Sequence, residues 1–159
     1  MKTLLVLRHA KSSWDHPDPD HDRPLKKRGR RAAQHIAEEI RERDLLPDVI
    51  ISSTAKRARK TARIFQETSG CRAEILQTGD LYFEDVGTQI SVVTSADDIH
   101  KRVMIVGHNP SFEEIVHDLS GEGIVMATAT LAVIDFDVRS WSEISQGTLR
   151  LVLRPRELE

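Results

Sequence analysis

The chain has 159 residues, of which 30% are charged and 39% hydrophobic, a composition suited to one globular domain over residues 1–159. Its 23 Lys and Arg nearly balance 25 Asp and Glu, for a formal charge of −2, which argues against a broad nucleic-acid footprint. The single cysteine, Cys71, excludes an internal disulfide and is expected to be inert. No apolar run is long enough to span a bilayer, so a cytoplasmic protein with no membrane partner is expected.

Leu4–Leu7 is a first buried run, and it stops abruptly at Arg8 and His9. Between Leu25 and Arg43, Ala33, Ile36, Ala37 and Ile40 fall at offsets 0, 3, 4 and 7, the stripe of an amphipathic helix. Asp48–Ser53 is the next strand, and Ala58, Ala62 and Phe65 mark a second helix closed near Gly70. Ala73–Leu76 reads as a third strand and Thr88–Val93 as a short helix. Arg102–Val106 is a buried strand leading into a helix with Pro110 at its first position and Asn109 as its cap. In that helix Phe112, Ile115, Val116 and Leu119 face inward, and Ser120-Gly121 ends it. Ala129–Phe136 and Thr148–Leu153 are expected as antiparallel strands near a sheet edge. This alternation describes an α/β domain with a largely parallel central sheet.

Three of the runs end in chemistry: Arg8-His9, then Ser52-Ser53 with Arg57 shortly after, then Gly107-His108-Asn109. Ligands of open parallel sheets bind beyond the carboxyl ends of the strands, so these segments converge on one crevice. Two helix N-termini would point into it. Arginine forks, imidazoles and helix starts together suit a phosphoryl group. Composition and spacing reach a phosphate site at a sheet edge and no further.

"LRHAKSS" at Leu7–Ser13 resembles the opening signature of the histidine phosphatase (phosphoglycerate mutase-like) superfamily, with Ala10 in place of the usual glycine. Ser53, Arg57, Ala58 and Thr61 are similar to its second signature, and "VGHNP" to the third. Leu25, Gly29 and Ala32 match an intermediate element, with Lys26 where a Ser or Thr cap is common. Within the superfamily, "RHAKSSW", "DHDRPL" and "VGHNPSFEE" look closest to SixA-type phosphohistidine phosphatases. The resemblance implies a single-domain three-layer sandwich, a mostly parallel sheet flanked by helices.

It also implies roles. His9 would be the nucleophile and transiently phosphorylated, with no metal or other cofactor. Arg8, Arg57 and Arg23 would clamp the phosphoryl oxygens, and His108 would donate to them. Ser12 is a candidate phosphate contact or an ordinary turn cap. A backbone carbonyl is the expected partner fixing the His9 tautomer. The expected partner is a histidine-phosphorylated protein or a small phosphorylated substrate, with inorganic phosphate as product. Phosphohistidine is favoured because no general acid stands out: Glu84 and Asp85 lie only roughly where one is needed, and an imidazole can be protonated before it leaves. The rivals are a small-molecule phosphomonoesterase of the same superfamily and a catalytically idle phosphate- or phosphoprotein-binding module.

Two stretches invite other readings. Trp14–Asp22 crowds His16, His21 and four aspartates, but Arg23 and Gly29 occupy the glycine and glutamate positions that a calcium loop starting at Asp18 requires. It is expected to be a solvated loop beside the site. "KKRGRR" (26–31) has the look of a nucleic-acid patch but starts a helix with an apolar inner face, so it is expected to be solvated and to steer anions. Glu113 and Glu114 suit a helix start.

Overall fold

The computed structural model describes residues 1–15 and 17–158; His16, part of the aspartate-rich loop, lies outside them. Six strands are β1 (Lys2–Arg8), β2 (Val49–Ser53), β3 (Glu74–Thr78), β4 (Arg102–Gly107), β5 (Leu131–Phe136) and β6 (Thr148–Leu153). They form one sheet in the order β3-β2-β4-β1-β5-β6, parallel across β3, β2, β4 and β1 and antiparallel across β1, β5 and β6. The helices are α1 (Lys27–Glu42), α2 (Lys56–Ser69), α3 (Val86–Thr94), α4 (Ser111–Ser120) and a short α5 (Pro155–Leu158).

Alternation along the strands sorts the core into two layers. Leu5, Leu7, Ile50, Met104 and Val106 pack against Ile36, Ala37 and Ile40 of α1 and Ala58, Ala62 and Phe65 of α2. Leu4, Val6, Val103 and Ile105 point the other way, onto Val93 of α3 and Phe112, Ile115 and Val116 of α4. The mostly parallel three-layer sandwich and the antiparallel edge are as expected. Gly70 and Gly121 close α2 and α4 in the left-handed conformation, at φ 70° and 77°.

One helix start departs from expectation. Pro110 precedes α4 rather than opening it, and Asn109 does not cap it. The Asn109 amide donates instead to the Met126 carbonyl at 2.9 Å, tying α4 to the segment before β5.

Parallel pairing places the functional strand ends. β4 lies between β2 and β1, with Arg8 opposite Gly107 and Ser52 opposite Val106. His9, Ser53 and His108 therefore leave the sheet side by side, where a doubly wound sheet binds its ligand.

Gly29 lets α1 lie close on the chain just after β1: a Cβ there would meet the Lys11 carbonyl and sit 2.8 Å from its amide nitrogen. That explains the glycine of the Leu-x-x-x-Gly-x-x-Ala element. Gly29→Ala is expected to lower unfolding stability by about 1–3 kcal/mol, the usual cost of overpacking. Urea unfolding checks this, and an unchanged midpoint would show that α1 can shift without cost.

Candidate active site

His9 follows the last residue of β1, and its amide donates to the Gly107 carbonyl of β4 at 3.0 Å. Its Nδ1 lies 2.8 Å from the Ala10 carbonyl oxygen. A carbonyl only accepts, so Nδ1 carries the proton and Nε2 keeps its lone pair. The expected backbone partner is thus Ala10, its own neighbour. Ala10 is buried and is not among the residues of positive φ, so alanine serves in place of glycine without strain. The Ala10 amide donates to Thr61 Oγ1 at 2.9 Å, and that hydroxyl donates to the Arg57 carbonyl at 2.7 Å. Thr61 therefore joins the turn carrying His9 to the helix carrying Arg57.

The His108 ring centroid is 5.2 Å from that of His9. Its Nε2 lies 2.8 Å from Ser53 Oγ, which accepts from the Ala55 amide at 3.2 Å. Its Nδ1 is buried with no hydrogen-bond partner in the protein.

Arg57 is 2% exposed and Arg23 is also buried. Their forks meet on Asp20, one of the four aspartates of the Trp14–Asp22 loop. Arg57 Nη2 is 3.1 Å from Asp20 Oδ2, and Arg57 Nη1 donates to the Asp20 carbonyl at 2.7 Å. Arg23 approaches Asp20 Oδ1 at 3.2 Å, and the Tyr82 hydroxyl donates to Oδ2 at 2.7 Å. Burial raises the Asp20 carboxyl, but Tyr82 and the arginines outweigh it and hold it below the ordinary carboxylate value. Ser12 accepts from Arg23 Nη1 at 2.6 Å and so positions that arginine. Arg8 donates to the Met126 carbonyl at 3.0 Å, while its Nε, like that of Arg57, is buried without a partner. Glu113 accepts from the Met126 amide at 2.7 Å, holding the segment that Arg8 and Asn109 also grip.

Five of the expected residues, Arg8, His9, Arg23, Arg57 and His108, thus gather around the ends of β1, β2 and β4, with Ser12 beside them. The pattern of the histidine phosphatase superfamily (branch 1) matches residues 4–81. A protein assigned as phosphohistidine phosphatase SixA from Agrobacterium tumefaciens is 30% identical, covers 97% of this chain and 98% of its own, and superposes with a TM-score of 0.84. The chain belongs to the histidine phosphatase superfamily. A second protein assigned as SixA, from Nakamurella multipartitia, is 28% identical, covers 97% of this chain and 96% of its own, and gives a TM-score of 0.84. One assigned as an α-ribazole-5'-P phosphatase, from Escherichia coli K-12, is 16% identical with a TM-score of 0.74 and covers 97% of each chain; this likeness concerns the fold alone. Membership supports a phosphatase hydrolase of SixA type.

Neither of the remaining candidates hydrogen-bonds to the cluster through its side chain among the described residues. Asp85 caps α3, accepting from the Thr88 amide at 2.6 Å, and that bond holds its carboxyl below the ordinary value. Its carboxylate is thereby engaged at the start of α3. Glu84 is exposed, and its only hydrogen bond among the described residues uses its backbone carbonyl. Their neighbour Phe83 is the residue that reaches the site. It stacks on His108 at 4.8 Å with φ at 56°, a conformation a bulky residue seldom takes, while remaining 52% exposed. Trp14, 73% exposed, lies over the Arg23 guanidinium at 3.6 Å. No group of three metal-ligating side chains occurs among the described residues.

Burial depresses both histidines to about 3; the arginines add to this, and the His9 ring does so at His108, while the Ala10 hydrogen bond opposes it at His9. Both stay neutral in the folded state where the unfolded chain begins to protonate, near 6.5. Their stabilising contribution is full above about pH 6.5 and is lost as pH falls toward about 3. Each histidine contributes a slope of at most about 1.4 kcal/mol per pH unit. Urea midpoints measured from pH 7.5 to 4.5 should fall, and the double variant His9→Gln, His108→Asn should fall less steeply. Equal slopes would place the acid sensitivity elsewhere.

Proposed function

We propose that this protein hydrolyses phosphohistidine on a protein through a phosphorylated His9, without a metal. The observation that carries the reading is the His9 Nδ1 contact with the Ala10 carbonyl, which leaves Nε2 as an unprotonated nucleophile in a burial-neutralised ring.

In the first step the His9 Nε2 lone pair forms a bond to phosphorus as the phosphorus–nitrogen bond of the substrate breaks. The leaving imidazole, protonated beforehand, departs neutral. Water then attacks phospho-His9, its proton passing to solvent, and phosphate leaves with His9 restored. Arg8, Arg57 and Arg23 hold the non-bridging oxygens, and His108, with its proton on the partnerless Nδ1, donates to one of them. In the resting protein Asp20 stands in the arginine forks as an internal anion, so a phosphoryl group takes them over by displacing it.

Two features favour phosphohistidine over a sugar or alkyl ester. An alkoxide leaving group needs a proton donor, and the nearby carboxylates are held ionised as Asp20, committed as the Asp85 cap, or exposed as Glu84. Phe83 and Trp14 place exposed aromatic faces on His108 and Arg23, suited to receiving a planar leaving ring on a macromolecule.

Phosphate release with chelator present, from a histidine-phosphorylated carrier protein and from an aryl phosphate, tests the reading. Fast release from the carrier, slow release from the ester and none with His9→Ala are expected. His108→Ala should lose about 10²–10³ in rate. Preference for the ester would point to a small-molecule phosphatase, and normal turnover by His9→Ala would remove the nucleophile assignment.

The Asp20 stand-in has its own check. Asp20→Asn leaves Arg57 buried without its counter-charge, so the thermal midpoint should drop in phosphate-free buffer. Inorganic phosphate should then raise it further than it raises the wild type. Equal phosphate shifts would show that Asp20 does not occupy the anion's place.

A further inference from the structure

The first turns of α1 and α2 carry charge against the helix dipole. Neither has an acidic residue in its first turn. Exposed cations gather at and just beyond those turns: Lys27 and Arg28 in the first turn of α1 and Arg31 in its second, Lys60 and Arg63 past the first turn of α2, and Lys11 on the loop beneath α1. Glu67 falls in the last turn of α2, again opposing the dipole, whereas Arg41 and the C-cap Arg43 offset Glu39 and Glu42 at the end of α1. α4 has the ordinary arrangement, with Glu113 and Glu114 in its first turn and His117 in its last.

The two helices present these cations as one face. Ala32 of α1 and Ile64 of α2 pack against the same buried cluster, and Arg28 and Lys60 stand one turn before them. At the far end, Arg41 of α1 donates to the Thr68 carbonyl of α2 at 3.1 Å. Both helices begin where β1 and β2 end, so the face borders the histidines, and Arg57 itself lies in the first turn of α2. None of the six cations has a carboxylate within ion-pair distance among the described residues. The loop carrying Asp15, Asp18 and Asp22 borders the patch on the α2 side, tied to Arg57 and Tyr82 through Asp20.

Each cation in a first turn costs about 0.3–1 kcal/mol, and mutual repulsion adds to that. A chain of net charge −2 nonetheless concentrates them beside its reaction centre. Local rules broken with no structural return mark functional surfaces. A small phosphate has no need of them, because the clamp arginines surround it. Lys60 and Arg63 lie roughly 4.5 and 9 Å further along α2 than Arg57, within reach of a macromolecule seated over the site.

We infer that this face docks an acidic surface of the phosphorylated partner protein, next to the residue it presents to His9. The inference rests on the phosphohistidine reading. Opposite charge on the partner would speed encounter and fix its orientation, and a protein, unlike a nucleic acid, can carry the phosphohistidine.

The probes are two peptides of equal length, each phosphorylated on one histidine, one flanked by glutamates and the other by glutamines. The variant is Lys27→Gln, Arg28→Gln, Arg31→Gln, Lys60→Gln and Arg63→Gln in the full chain. Wild type should prefer the acidic peptide in kcat/KM by about tenfold or more at low salt, a preference that shrinks as salt rises. The variant should lose that preference, keep its kcat and its aryl phosphate turnover, and unfold at a higher temperature because like-charge repulsion along the face, and the dipole conflict at Lys27 and Arg28, are relieved. Hydrolysis of both peptides with equal kcat/KM by the wild type overturns the docking surface and leaves the phosphohistidine reading standing. Equal loss by the variant on the aryl phosphate also overturns it, since the cations would then act on any anion. Hydrolysis of the aryl phosphate alone removes the phosphohistidine reading, and the docking surface with it. Salt-sensitive binding of a short DNA duplex that the variant loses, with no difference between the peptides, would assign the face to nucleic acid.

Discussion

The parallel pairing of β1 with β4 is the constraint on which the site depends. Arg8 stands opposite Gly107, and the next residue on each strand is a histidine. Side chains at that level leave the sheet together, so the ring centroids lie 5.2 Å apart without any loop having to bring them there. β2 joins on the other side of β4 and sets Ser53 against His108. A one-residue slip of β1 would turn Leu5 and Leu7 to the wrong face as well as moving His9. The hydrophobic sorting of the two core layers therefore holds the histidine spacing too.

Electrostatics divides the work between rings and forks. Both histidines are buried among cations, so both remain neutral where exposed imidazoles would begin to charge. The arginines cannot shed their charge, and a buried guanidinium left unpaired is costly. Asp20 supplies the counter-charge from a loop, and Tyr82 supports it from across the cleft. A neutral imidazole beside cations that already have an anion among them suits a group of that charge.

What was legible in the sequence follows from where each signal lies. The strands and helices were marked by apolar periods, and their ends by Arg8-His9, Ser53 and His108, because strand order turns local ends into one crevice. Asp20 was not legible as a clamp partner: its contacts to Arg57 and Tyr82 span 37 and 62 residues, and no spacing rule announces them. The search for an acid stopped one residue beyond Phe83, whose left-handed backbone turns its ring onto His108. Glu84 and Asp85 attracted attention by charge, yet Asp85 is spent on the start of α3. Asn109 looked like a cap because Pro110 follows it, but the Met126 carbonyl offered its amide a partner in the tertiary structure.

The basic run at the start of α1 shows how a local signal can be right in kind and incomplete in meaning. An amphipathic helix with a charged outer face needs no explanation. The charge at the helix starts does, because the first turn of α4 in the same chain follows the dipole while those of α1 and α2 oppose it. Stability alone would have favoured acids at those first turns, as Glu113 and Glu114 illustrate. The sheet sends its three functional strand ends and the first turns of α1 and α2 to the same edge of the molecule. Charge placed there acts on whatever approaches His9, and the same charge at the opposite ends of those helices would have stabilised them and done nothing for the site.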